Sequence, residues 1–233
     1  YKTLGKALVM DELIERHSAI IDQYDPEKKI GLSVDEWGTW FTCEPGTNPG
    51  FLYQQNTVRD ALVAGITLNI FNKHCDRVRM ACLAQMVNVL QSVILTEGEK
   101  MIKTPTYHVF HMYRHHQGAK LLDSTLNGVQ SVGTEEWSVP EITESVSKKD
   151  GIITITLNNL STTDDKELDI VLTEKSDYEI VEANVVTNDD MHAHNTFEAP
   201  ETVKEAEFTA YKANGNTVTV KLPKCSVVEL RIK

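Results

Sequence analysis

The sequence predicts two architectures in succession, α/β and then all-β, and two patterns carry that reading. Up to residue 117, apolar positions recur at helical spacing and are interrupted by short apolar runs of strand length. From Gly118 the helical period vanishes, and short alternating segments punctuated by Gly and Asn take its place. The chain therefore divides into residues 1–117 and 118–233, and 233 residues suffice for one large domain or two modest ones with buried cores.

Within the first part, Leu4, Leu8, Leu13, Ile14, His17 and Ile21 fall on one face of a helix over 3–22, which Asp25-Pro26 ends. Ile30, Leu32 and Val34 read as a buried strand. Helix, short loop and buried strand make half of a parallel βαβ unit. Cys43 to Gly50 holds two prolines and two glycines and reads as a loop. A second helix over 56–73 places Val58, Ala61, Leu62, Gly65, Ile66, Asn69 and Ile70 at helical spacing. Gly65 costs about 1 kcal/mol there against Ala, which points to close packing on a neighbour. Residues 76–83 read as a short strand through Val78, Met80 and Cys82, and Gln85 stands just beyond its end. Val87 to Leu95 is apolar and is broken by Thr96-Glu97-Gly98-Glu99, after which Pro105 opens a helix over 106–116.

The second part predicts strands over 152–157, 168–172, 178–187, 203–211, 217–222 and 226–232. Lys149-Asp150-Gly151 and Ala213-Asn214-Gly215-Asn216 are hairpin signals, because Gly and Asn accept positive φ. Strands of this density predict an antiparallel sandwich. Asn159-Leu160-Ser161 fits a glycosylation sequon and is assigned no function.

A formal net charge of -11 argues against nucleic acid as a partner, since phosphate binding needs clustered Lys and Arg. No apolar run reaches the length of a membrane span, so no membrane partner is expected. Cys43, Cys75, Cys82 and Cys225 lack ligand-like spacing and read as free thiols; the compartment stays open. His108, His111, His115 and His116 have no acidic or Cys ligands at diagnostic spacing, and His192-Ala193-His194 reads as a docking loop. We expect no metal and no cofactor.

The chemistry concentrates in residues 30–41, where the apolar run ends in Asp35-Glu36 with Trp37 and Trp40. An acid at the carboxyl end of a barrel strand can attack or stabilise an anomeric carbon, while indole faces shed water from a sugar ring. Strand alternation lets only one of the two acids face such a ligand, which leaves the other structural, paired to a basic group behind the strand. A bidentate amide such as Gln85, on the same rim, can hold sugar hydroxyls. A surface loop with a chance acid pair is the competing reading of the same residues.

Asp35-Glu36-Trp37 with Trp40 resembles the nucleophile strand of the α-L-arabinofuranosidases of glycoside hydrolase family 51. The likeness runs on through Asp60 to Gly65, Lys73 to Val78, Ala84 to Val89, Thr104 to Phe110, His194 to Glu198 and Pro223 to Leu230. It implies the C-terminal part of a (β/α)8 TIM barrel, its last two strands, over 1–117, followed by an antiparallel jelly-roll β-sandwich over 118–233. It implies that Glu36 is the nucleophile of a retaining enzyme, that Trp40 lines the arabinose subsite with Trp37 as packing or wall, and that Gln85 contacts bound arabinose. The general acid/base, in an Asn-Glu pair of an earlier strand, is then missing from this chain. The implied partners are an arabinose-containing oligo- or polysaccharide, the missing N-terminal part of the barrel, and a second copy in a homo-oligomer. Without that missing part, hydrolysis is not expected. The alternatives are another retaining glycosidase of the clan, such as a xylosidase or endoglucanase, and a non-catalytic carbohydrate-binding sandwich.

Overall fold

In the computed structural model, residues 1–173 and 177–233 are described. Helix α1 (Lys2–Asp22) buries Leu4 and Ile14, but Leu13 is 45% exposed, so the buried face is narrower than the spacing predicts. Its end is held by Arg77, a fully buried guanidinium that bonds the Asp25 carboxylate at 2.8 Å, the Ile30 carbonyl at 2.6 Å, and Asp22. The Ile30 amide, then Arg77, hold the Asp25 carboxyl below the usual carboxylate range.

Strand β1 (Leu32–Trp37) follows, starting later than the apolar run from Ile30 suggests: Ile30 lies outside it and is 58% exposed. Helix α2 (Val58–Lys73) starts at a capping box in which the Thr57 amide and hydroxyl both donate to the Asp60 carboxylate, at 2.8 and 3.1 Å. Strand β2 (Val78–Leu83) then pairs with β1 in parallel, Leu32 opposite Val78 and Trp37 opposite Leu83. Leu32 and Val34 pack toward the helices, while Ser33 and Asp35 are exposed on the other face.

The end of the apolar run, Ile94-Leu95, and the break after it form a hairpin, β3 (Ile94–Glu97) with β4 (Lys100–Lys103), turning at Gly98 with φ 56°. Helix α3 (Pro105–Tyr113) ends in a 3-10 turn over Arg114–His116.

The remainder is antiparallel: β5 (Lys120–Leu121), β6 (Ser131–Gly133), β7 (Ser138–Pro140), β8 (Ile142–Lys149), β9 (Ile152–Asn159), β10 (Lys166–Val171), β11 (Ile180–Thr187), β12 (Ala206–Glu207), β13 (Tyr211–Asn214), β14 (Thr217–Leu222) and β15 (Ser226–Ile232). Among the described residues, β12-β11-β15-β9-β8-β5 form one sheet, β10-β14-β13 a second, and β6 with β7 a hairpin. The two larger sheets share one apolar core, with Ile155, Leu157 and Leu230 from the first and Val218, Val220 and Leu222 from the second. Asp150 and Gly151 turn the β8–β9 hairpin at φ 52° and 82°, as the local residues predict. The predicted strand over 203–211 is broken into the two residues of β12, paired with Asn184 and Val185 of β11, and Tyr211 at the start of β13.

The opposite face of the six-stranded sheet meets α2 through polar groups. Asn69 Oδ1 accepts from Ser145, Thr156 and Tyr113 at 2.8, 2.8 and 2.9 Å, and Lys73 pairs with Glu144 at 2.7 Å. Gly65 sits where a Cβ would come 2.4 Å from Asn158 Oδ1, so its absent side chain lets the helix close on the sheet. The core around α2 also takes in Leu160, Val186, Val203 and Val227, so packing runs across residues 117 and 118. Among the described residues, no helix is long and apolar enough to cross a membrane.

Candidate active site

The ladder between β1 and β2 is irregular between Val34 and Trp37. Val34 and Trp37 nevertheless join the same helix-side core, which strict alternation forbids for residues three apart. An extra residue is thus accommodated at Asp35-Glu36, as a bulge accommodates it, and such irregularities re-aim side chains at strand ends. Ser33 Oγ donates to Asp35 at 2.7 Å along the exposed face. The expected basic partner of Asp35 is not there: among the described residues it makes no ion pair.

Glu36 is exposed and opens into a cleft of about 540 Å³ shared with Trp37, Trp40 and Phe41 on one side and Lys6 and Met10 of α1 on the other. Among the described residues, it is the one carboxylate in the lining of that cleft. Trp37 is 5% exposed and lies between the edge of Phe71, at 5.6 Å, and the face of Phe110, at 6.0 Å. Its indole nitrogen is out of reach of solvent, so toward the cleft it offers ring surface and no donor. Trp40 is 67% exposed. Gln85 is exposed just past β2, on the adjoining strand end but outside the lining of this cleft. The Ala84 amide donates to the Trp37 carbonyl at 2.9 Å, which ties the two strand ends together.

Behind Trp40 lies a set of buried polar side chains that reading along the sequence does not single out. Thr39 Oγ1 donates to Asp60 at 2.7 Å, and the Thr39 amide donates to Gln91 Oε1 at 3.0 Å. Gln54 accepts from the Phe41 amide at 2.8 Å and donates to Thr39 Oγ1 at 2.9 Å. Gln91 donates onward to the Asp60 carbonyl at 2.7 Å, and its own amide donates to the Ala84 carbonyl at 3.1 Å. Gln54, Asp60 and Gln91 are each no more than 1% exposed. The available signal was a polar residue inside an otherwise apolar or helical stretch, and many surface residues share that signal. Gly38 completes the turn with φ 136°, where a Cβ would approach the Ala84 carbonyl to 3.3 Å.

The histidines find protein partners. His111 meets Glu205 at 2.6 Å, His115 meets Glu229 at 2.5 Å, and His116 meets Ser147 at 2.8 Å and Thr156 at 3.2 Å. Burial holds His115 and His116 down at about 4 and pushes Glu229 up to about 7. The segment from Met191 to His194 docks on the start of α2, where the Val58 and Arg59 amides donate to the Ala193 and Met191 carbonyls at 3.1 and 3.2 Å. Among the described residues, Asp11, Glu15 and His74 bring ligand-type atoms within 4.8 Å of one another, but none of them lines the cleft and His74 already bonds Asp11 at 2.6 Å. Asn159 of the sequon is buried, and its side-chain amide donates to the Asp164 carbonyl at 3.0 Å.

Comparison with known proteins adds four findings. The family model described as the α-L-arabinofuranosidase C-terminal domain matches residues 35–226. An intracellular exo-α-L-arabinofuranosidase of Bacteroides ovatus is 44% identical over 238 residues, covering 100% of this chain and 45% of that protein. The crystal structure of a GH51 arabinofuranosidase from Xanthomonas axonopodis pv. citri superposes with a TM-score of 0.95 at 46% identity, covering 99% of this chain and 46% of that one. A family 51 α-L-arabinofuranosidase from Bifidobacterium longum gives a TM-score of 0.84 at 27% identity, over 99% of this chain and 48% of that one. The chain thus spans under half the length of each of these relatives.

Proposed function

The chain belongs to the α-L-arabinofuranosidase C-terminal domain family, and from that premise we propose that it supplies the nucleophile half of a retaining exo-α-L-arabinofuranosidase. The observation that carries this reading is the Glu36 carboxylate, exposed at the carboxyl end of a parallel strand beside two indoles, with no other carboxylate of the described residues in its cleft. Glu36 attacks the anomeric carbon of a terminal arabinofuranosyl unit and forms a glycosyl-enzyme ester, which water then cleaves.

Such chemistry needs a second carboxyl group about 5 to 5.5 Å away, acting first as acid and then as base. That group comes from the part of the parent enzyme outside these residues, which also completes the barrel. Residues 1–117 are then its closing strands and helices, with the strand ends that carry Glu36 and Gln85 turned to the catalytic rim of the barrel, and residues 118–233 are a jelly-roll sandwich. Trp40 forms a wall of the arabinose subsite, Trp37 its packed base, and Gln85 binds sugar hydroxyls as donor and acceptor together. The substrate is an arabinan, an arabinoxylan or an oligosaccharide derived from them.

The test is Glu36→Ala in the full-length protein, assayed on an aryl α-L-arabinofuranoside. Loss of about 10⁴-fold or more in kcat is expected, together with azide rescue that yields the β-configured arabinofuranosyl azide. Retention of turnover by the variant would overturn the assignment.

A further inference from the structure

Trp40 is an exposed ring on a backbone that is held from both sides. Thr39 before it gives its amide to Gln91 and its hydroxyl to Asp60, and Phe41 after it gives its amide to Gln54 while Arg59 lies 3.8 Å over its ring. The partners lie 52, 21 and 13 residues away in sequence, yet they converge on the few residues that follow Glu36. The neighbouring loop differs, for its side-chain bonds are local ones such as Thr47 to the Glu44 carbonyl and Gly50 to Asn48.

We infer that Thr39, Gln54 and Gln91, backed by Asp60, are positioning residues that fix the Trp40 indole beside Glu36 and couple it to the Gln85 turn. The inference rests on the assignment of Trp40 and Gln85 to one sugar site. Irregular backbone past a strand end has amides and carbonyls with no ladder partner. Water can satisfy them at a surface, but it sets no geometry. A carboxamide accepts and donates through one rigid plane, so each of Gln54 and Gln91 locks two groups in a fixed relation. Gln91 does so for Thr39 and Asp60, while its backbone amide takes the carbonyl of Ala84, the residue before Gln85. Ring placement prepared in this way spares the ordering cost that a loose loop would incur when sugar binds.

The experiment uses the full-length protein labelled with 5-fluorotryptophan, with the Trp40 ¹⁹F resonance assigned by its loss in Trp40→Phe. Thr39→Val keeps the side-chain shape and removes the hydroxyl, whereas Thr39→Ser keeps the hydroxyl. Thr39→Val is expected to shift or broaden the Trp40 resonance, leave the Trp37 resonance in place, and raise KM for an aryl α-L-arabinofuranoside about tenfold with a smaller change in kcat. Thr39→Ser is expected to restore both readouts. An unchanged Trp40 resonance with unchanged KM in Thr39→Val, or equal behaviour of the two variants, overturns the inference. Should Thr39→Val not fold, Gln54→Met, which removes the acceptor for the Phe41 amide, is read on the same resonance. If the unsubstituted protein turns over no arabinofuranoside, the functional reading fails by itself, and the Trp40 resonance alone judges the positioning role.

Discussion

The polar set behind Trp40 and the double-sheet core of the C-terminal half are both sealed from water, but by opposite means. In the sheets the backbone bonds to itself, strand to strand, and the enclosed side chains are aliphatic: Ile155, Leu157, Val220 and Leu230 are all 2% exposed or less. Behind Trp40 the backbone has no strand to pair with, and carboxamides, a carboxylate and hydroxyls fill the interior instead. The difference is that an apolar core holds elements together without caring much about a fraction of an ångström, whereas directed hydrogen bonds specify where one residue stands. Stability is concentrated in the first region and geometry in the second.

The sharpest way to break this contrast is to cut each region and ask what else moves. Leu230→Ala, in the strand between β9 and β11, is expected to cost about 3 kcal/mol in urea unfolding through lost burial and a cavity. It should leave the near-ultraviolet signal of the indoles unchanged in the folded state; a changed signal would mean that the sheet core also sets the site. Asp60→Ala removes a helix cap and orphans the Thr39 hydroxyl, for an expected loss of about 2 kcal/mol. Here the indole signal is expected to change in the folded state, and an unaltered spectrum would show that the polar set holds nothing in place.

The seam between the regions offers the smallest effect. His116, at the end of the 3-10 turn after α3, bonds Ser147 of β8 and Thr156 of β9, and burial keeps it neutral down to about 4. A histidine whose folded value is depressed contributes stability that is complete above its unfolded value, near 6.5, and is lost as pH falls toward 4. The expected loss between those values is about 1 to 2 kcal/mol after allowing for partial contact with solvent. His116→Gln should flatten that part of the stability profile, and identical profiles would remove the seam from the account.

Much of the fold was legible because its signals are local. The helices at 3–22 and 56–73 announced themselves by spacing, the β8–β9 turn by Asp150-Gly151, and the close approach at Gly65 by the cost of a glycine inside a helix. Strand β8 was missed because Glu144, Ser145 and Ser147 break the alternation of apolar residues; they are buried, and Ser145 and Glu144 bond Asn69 and Lys73 of a helix more than 70 residues away. The single strand expected over 203–211 is split instead, since Ala206 and Glu207 pair with β11 and Phe208 bonds Ala183 there, whereas Tyr211 begins β13 and pairs with β14.

The sequence by itself determined the succession of an α/β part and an all-β part, the acid at the end of a strand, and the tryptophan four residues after it, because each depends on residues within a turn or two of one another. Tertiary structure alone decided that Asp35 lacks a basic partner among the described residues, that the ladder slips between Val34 and Trp37, and that Gln54, Asp60 and Gln91 stand behind Trp40. Such arrangements join groups far apart along the chain through bonds only a few ångströms long, and no pattern of neighbouring residues encodes a distance of that kind.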